Sequence, residues 1–263
     1  LPILFFMIGM GVFGQGFVGK LAFPSANVSD RIEKTFTSVN FNMMIMVIYA
    51  LITIAIFGMW YYARYEGNFL PSPKKTFNPL MIVAIVILVP GTQFAANFIA
   101  NLTGYIRPDW LQQYNELFET SGITDTTFVT VLYSVILAPI CEELIFRGVT
   151  MRCARKALPF ALANLIQAAL FGLFHLNWIQ GIYAFALGIV LGYVCECGGS
   201  IYYSIGLHLL FNLWGTLSGF FPDPGNSVVV SVIVIAVTIV SLTAGFVLFN
   251  KGRRKLPINS TGI

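Results

Sequence analysis

The chain has 263 residues, of which 57% are hydrophobic and only 10% charged, with a mean hydropathy of +0.80. This excludes a soluble domain, whose surface needs roughly a quarter of its residues charged, and points to a polytopic membrane protein. The net charge of +4 does not indicate nucleic-acid binding, because the basic residues cluster at the ends of apolar segments, where they report topology.

Apolar segments of about 20 residues, enough to cross a bilayer, run over Leu1–Phe17, Phe41–Tyr62, Pro79–Leu102, Thr126–Arg147, Phe160–Trp178, Gly181–Cys197, Ser200–Phe220 and Val228–Asn250. No strand-like alternation repeats along the chain, so the expected fold is all-α. It is a membrane helical bundle of about eight transmembrane helices, forming one integral-membrane domain over residues 1–263 with a core at about 126–220. The chain opens inside an apolar run, expected to be a first membrane helix preceded by a short further piece rather than a cleaved leader.

With the N-terminus inside, Arg64, Lys74, Lys75, Arg152, Arg155, Lys156, Lys251, Arg253, Arg254 and Lys255 all fall on one side. The opposite loops hold fewer basic residues, diluted by acids. Both termini are therefore expected in the cytoplasm, and the short polar loops point to a prokaryotic cell membrane. Between the third and fourth apolar segments, Trp110 to Phe118 repeats apolar residues at three- and four-residue spacing. This predicts a helix lying at the membrane surface, with a plain polar connector as the alternative.

Ala184, Gly188 and Gly192 recur every four residues, which predicts close helix packing. The four cysteines, Cys141, Cys153, Cys195 and Cys197, lie in or beside apolar segments and read as small membrane hydrophobes.

Against this background Glu142 and Glu143 are out of place, since an ionisable side chain in a membrane segment marks a functional site unless it is idle ballast. Glu143 and Arg147 stand four apart with the acid first, the favourable order for a helix ion pair. That pair can orient Glu143 while Glu142 stays free. Pro139 cannot donate its backbone hydrogen bond and loosens the helix just ahead of the acids.

The chain contains only two histidines, His175 and His208, both in apolar segments. A polar turn at Ala157 to Pro159 puts Glu142 and His175 each about 22 to 24 Å from a hairpin tip, hence level with one another. His208 and Asn212, four apart, share one helix face.

A Glu in a dry pocket can take a proton from water, with His175 holding that water. His208 and the Asn212 amide can donate to the oxyanion of a tetrahedral intermediate. Together these roles describe hydrolysis of an acyl bond. The same residues leave a zinc site open, through Glu142, His175 and His208. A Cys141 nucleophile is disfavoured because neighbouring helix residues diverge by about 100°.

At these residues the chain resembles the CAAX protease and bacteriocin-processing family of intramembrane proteases, which includes the type II CAAX prenyl endopeptidases. The pattern Glu-Glu-x-x-x-Arg appears as Glu142-Glu143-Leu-Ile-Phe-Arg147. Phe-x-x-x-His appears as Phe171-Gly-Leu-Phe-His175, and His-x-x-x-Asn as His208-Leu-Leu-Phe-Asn212. The resemblance covers about Leu137 to Gly215.

It implies an intramembrane endopeptidase of the glutamate type, without a required cofactor, in which Glu142 and His175 activate water. His208 and Asn212 would then form the oxyanion site, supported by Glu143 and Arg147. Its partners would be the lipid bilayer and a peptide or protein substrate at the membrane boundary. The family also implies an alternative, a non-catalytic bacteriocin-immunity or peptide-binding protein. A proton-coupled transporter is a third class, for which the chain lacks an inverted repeat.

Overall fold

The computed structural model describes residues 39–63, 77–121, 127–218 and 227–253. Among these are eight helices: α1 Val39–Tyr61, α2 Pro79–Ile106, α3 Pro108–Ser121, α4 Phe128–Arg155, α5 Phe160–Phe174, α6 Trp178–Gly198, α7 Ile201–Ser218 and α8 Val228–Arg253. No strand occurs among the described residues. The chain is an all-helical membrane bundle, as its composition requires. The predicted first span and the basic residues Arg64, Lys74, Lys75, Arg254 and Lys255 lie outside the described residues.

Short polar signals set the helix ends. Asn78 caps α2, its side chain accepting from the Leu80 amide at 2.9 Å, with Pro79 at the first helical position. Asn177 caps α6 in the same way, accepting from the Gln180 amide at 3.0 Å. The far end of α6 stops at Gly199, whose φ of 65° lies in the left-handed region that glycine enters without strain.

Five of the described helices, α1, α2, α4, α6 and α8, are long and apolar enough to span a membrane, while the first predicted span lies outside the described residues. Helix α5 has only 15 residues, because Leu176 turns the chain with φ 54° and Asn177 starts a new helix. Helix α7, with 18 residues, carries Tyr202, Tyr203, Ser204, His208 and Asn212 along its length. Helix α5 buries one face, with Ala163, Gln167, Ala168 and Phe171, and exposes the other, with Leu162, Ile166, Leu170 and Leu173.

The segment expected to be either a surface helix or a polar connector is helical, as α3. It is held to the bundle by a 5.3 Å stack of Trp110 on Trp178, with Arg107 over the Trp110 ring at 4.3 Å.

Small residues bring the helices together. A Cβ on Gly188 would stand 3.1 Å from Ala168, and one on Gly192 would overlap the Asn164 side chain, so the stripe read in the sequence is where α6 meets α5. Across the bundle, Gly91 and Gly245 let α2 and α8 touch, with the Gly91 amide donating to Ser241 at 2.8 Å. The core between them holds Met81, Leu88, Phe171, Leu191, Tyr203, Leu207 and Phe249. Outer faces of α1 and α8 expose Leu51, Ile56, Val232 and Ile239, as surfaces facing hydrocarbon do.

Gly192→Leu should therefore separate α5 from α6. We expect a loss of about 1–3 kcal/mol of stability, read as a lower thermal unfolding midpoint in detergent.

The basic ends gather on one side. Arg155 pairs with Glu196 at 3.0 Å, Arg253 reaches the Cys197 sulfur at 3.5 Å, and the Asn78 amide donates to the Gly252 carbonyl at 3.1 Å. Helix α3 and the α5–α6 turn lie at the other end, joined by the tryptophan stack.

Candidate active site

The middle of α4 is irregular in a way that the sequence accounts for. Pro139 removes an amide from the ladder, and the helix widens to i→i+5 turns over Leu132–Leu137 before it and over Leu144–Met151 after the acids. Glu142 and Glu143 sit on the short regular piece between, Ala138–Glu143.

Glu143 and Arg147 are both fully buried and form the expected ion pair at 2.8 Å. Arg147 is held on two further sides, by the Gly188 carbonyl at 3.3 Å and by the Phe171 ring 4.5 Å beneath its guanidinium. A buried charge pair is stable only when such additional contacts accompany it. The Gly188 carbonyl also accepts from Gln167 at 2.8 Å, and Gln167 donates to Asn164 at 2.7 Å.

Neither Gln167 nor Asn164 was singled out from the sequence. The available signal was their position: Gln167 lies four residues before Phe171 and eight before His175, a polar residue on the motif face of an otherwise apolar helix.

His208, on α7, meets the same carboxylate. Its Nδ1 lies 2.8 Å from Glu143 Oε1, and a carboxylate accepts, so Nδ1 carries the hydrogen. Its Nε2 then faces Glu142 Oε2 at 3.6 Å. The arrangement repeats the acid–imidazole logic in which one carboxylate orients a histidine and leaves its other nitrogen for chemistry. Glu142 retains 14% exposure of its side chain against 4% for His208, so it is the more accessible member.

His175 ends α5, and its Nδ1 lies 2.8 Å from the Phe171 carbonyl. Since that carbonyl can only accept, the hydrogen is again on Nδ1, and Nε2 is free to accept a hydrogen from water. Both imidazoles stand edge-on to one ring, His175 at 5.0 Å and His208 at 5.7 Å from Phe171. Phe171, the first residue of the Phe-x-x-x-His motif, thus supports Arg147 and both histidines at once.

Asn212, one turn beyond His208, donates to the Ser134 carbonyl at 2.8 Å, in the first wide turn of α4. One of its two amide hydrogens is used there, and the other is left.

The three motifs therefore converge, with a different pairing from the one expected. No ion pair within 4 Å joins Glu142 to His175 among the described residues; the imidazole beside Glu142 is His208. Cys141 points elsewhere, buried against Thr53 of α1. Among the described residues, no three His, Cys, Asp or Glu side chains are grouped to hold a metal ion.

Residues 124–214 match the family model described as type II CAAX prenyl endopeptidase Rce1-like. That stretch spans all three motifs and, in the structure, α4 through most of α7. No curated protein and no solved structure matches the chain.

Proposed function

We propose, starting from the match of residues 124–214 to type II CAAX prenyl endopeptidases, that the chain is an intramembrane endopeptidase of the glutamate type. Its catalytic residues would be Glu142, His175, His208 and Asn212, supported by Glu143 and Arg147. The observation that carries this reading is the partly exposed Glu142 carboxylate facing the Nε2 of His208, whose Nδ1 is tied to the Glu143–Arg147 pair.

In the proposed reaction Glu142 takes one hydrogen of a water molecule, while His175 Nε2 accepts the other and fixes the direction of the oxygen. The water oxygen attacks the peptide carbonyl carbon, and the carbonyl electron pair moves to its oxygen. The resulting oxyanion receives the remaining Asn212 amide hydrogen and, when the imidazole is protonated, His208 Nε2–H. Glu143, accepting from Nδ1, holds the imidazole with Nε2 turned toward Glu142. As the carbon–nitrogen bond breaks, Glu142 returns its proton to the leaving nitrogen.

The substrate is a peptide or protein tail at the membrane boundary, and the basic helix ends face the cytoplasm. The whole chain is proposed to act as one domain, with its chemistry in residues 126–220.

Peptides released in cells carrying the wild-type chain should include products absent with Glu142→Ala. Identical peptide sets would leave the immunity or peptide-binding reading in place. Hydrolysis should also persist after exhaustive dialysis against a chelator. Loss that added zinc restores would favour the alternative through Glu142, His175 and His208.

A further inference from the structure

Between α5 and α6, toward the α4–α5 turn, lies a groove of about 530 Å³ that Phe246 of α8 also lines. This is within the volume range of sites that hold small molecules. Phe160, Leu165, Ile189, Val190 and Phe246 form its walls.

The groove's two polar residues do not present free groups to its interior. The Asn164 amide donates to the Ile189 carbonyl at 3.1 Å, and its oxygen accepts from Gln167 at 2.7 Å. The Tyr193 hydroxyl turns toward the end of α8, donating to Asn250 at 2.8 Å. The interior thus suits a hydrocarbon chain.

One end of the groove is different. Phe160 begins α5, directly after the α4–α5 turn that bears Lys156, and Phe246 lies within two turns of Lys251 and Arg253 at the end of α8. All three basic side chains are exposed. Arg253 reaches Cys197, one turn beyond Tyr193. Arg155, the neighbouring cation, is already paired with Glu196.

We propose that this groove binds an anionic phospholipid of the leaflet at the basic end, an acyl chain lying between α5, α6 and α8 and the phosphate on Lys156, Lys251 and Arg253. Both halves of the occupant follow from the surface: apolar walls along its length, and, at the end where the headgroup must sit, exposed cations with no acidic partner among the described residues. Basic recesses between membrane helices recognise anionic headgroups by this combination. The inference is independent of peptide hydrolysis, since none of these residues belongs to the motifs.

Native mass spectrometry of the full chain, released from vesicles of equal parts dioleoyl phosphatidylglycerol and dioleoyl phosphatidylcholine, tests it. The wild type should retain phosphatidylglycerol over phosphatidylcholine by at least about tenfold. Ala161→Trp, which fills the groove from its exposed wall, should lose the retained lipid. Lys251→Gln with Arg253→Gln, both at exposed positions that folding tolerates, should erase the preference between the two lipids. Equal retention by the wild type, or wild-type retention by either variant, would overturn the proposal. So would a lipid-free dimer that Ala161→Trp converts to monomer, since a second copy would then be the occupant.

Discussion

Glu142→Gln is expected to slow peptide-bond hydrolysis by about 10²- to 10⁴-fold, the usual contribution of a positioned general base. The substitution preserves shape, and the amide still has a hydrogen to offer His208 Nε2, 3.6 Å from the carboxylate it replaces. It cannot accept a proton from water, so the loss isolates base function from packing.

His175→Ala should produce a loss of comparable size by a different route. Removing Nε2 leaves Glu142 its carboxylate and removes the group that orients the attacking water. Rates measured on one peptide with purified protein, together with thermal midpoints, check both. Full activity in either variant at an unchanged midpoint would refute the assignment.

The largest expected effect on stability comes from the fully buried pair. Arg147→Met should cost about 3–5 kcal/mol, because it leaves the Glu143 carboxylate uncompensated in a dry interior. The His208 contact at 2.8 Å compensates only in part. Arg147 also braces the Gly188 carbonyl and caps the Phe171 ring, so α4, α5 and α6 all lose a shared contact.

The double variant Glu143→Gln with Arg147→Met removes both charges together and should recover most of the lost stability, since replacing a whole buried pair is far milder than breaking it. Its hydrolysis should stay low, because Glu143 no longer accepts from Nδ1 with a full charge. Unfolding midpoints of the two single variants and the double variant form a cycle that measures the coupling. Independent, additive losses would show that the ion pair does not organise the site.

Much of the fold was readable because it depends on nearest neighbours along the chain. Apolar runs and the polar turn at Ala157 to Pro159 are local properties of hydropathy and hydrogen bonding. The small-residue stripe at Ala184, Gly188 and Gly192 identified a packing face, although which helix it met was not legible. The shortness of α5 was missed because Leu176 is an apolar residue in a left-handed turn, a conformation that hydropathy does not report.

The amino-acid sequence alone determined that this is a membrane protein and that three polar motifs interrupt its apolar segments. It also determined that Glu143 pairs with Arg147, since four residues along a helix suffice to bring them together. Tertiary structure alone decided that His208, 65 positions from Glu143, stands 3.6 Å from Glu142. It likewise decided that Asn212 reaches the Ser134 carbonyl and that Gly188 receives both Arg147 and Gln167. Those choices depend on the rotation of one helix against another. Rotation is set by wide turns around Pro139 and by how closely glycines let the backbones approach, and neither effect acts through spacing along a single helix.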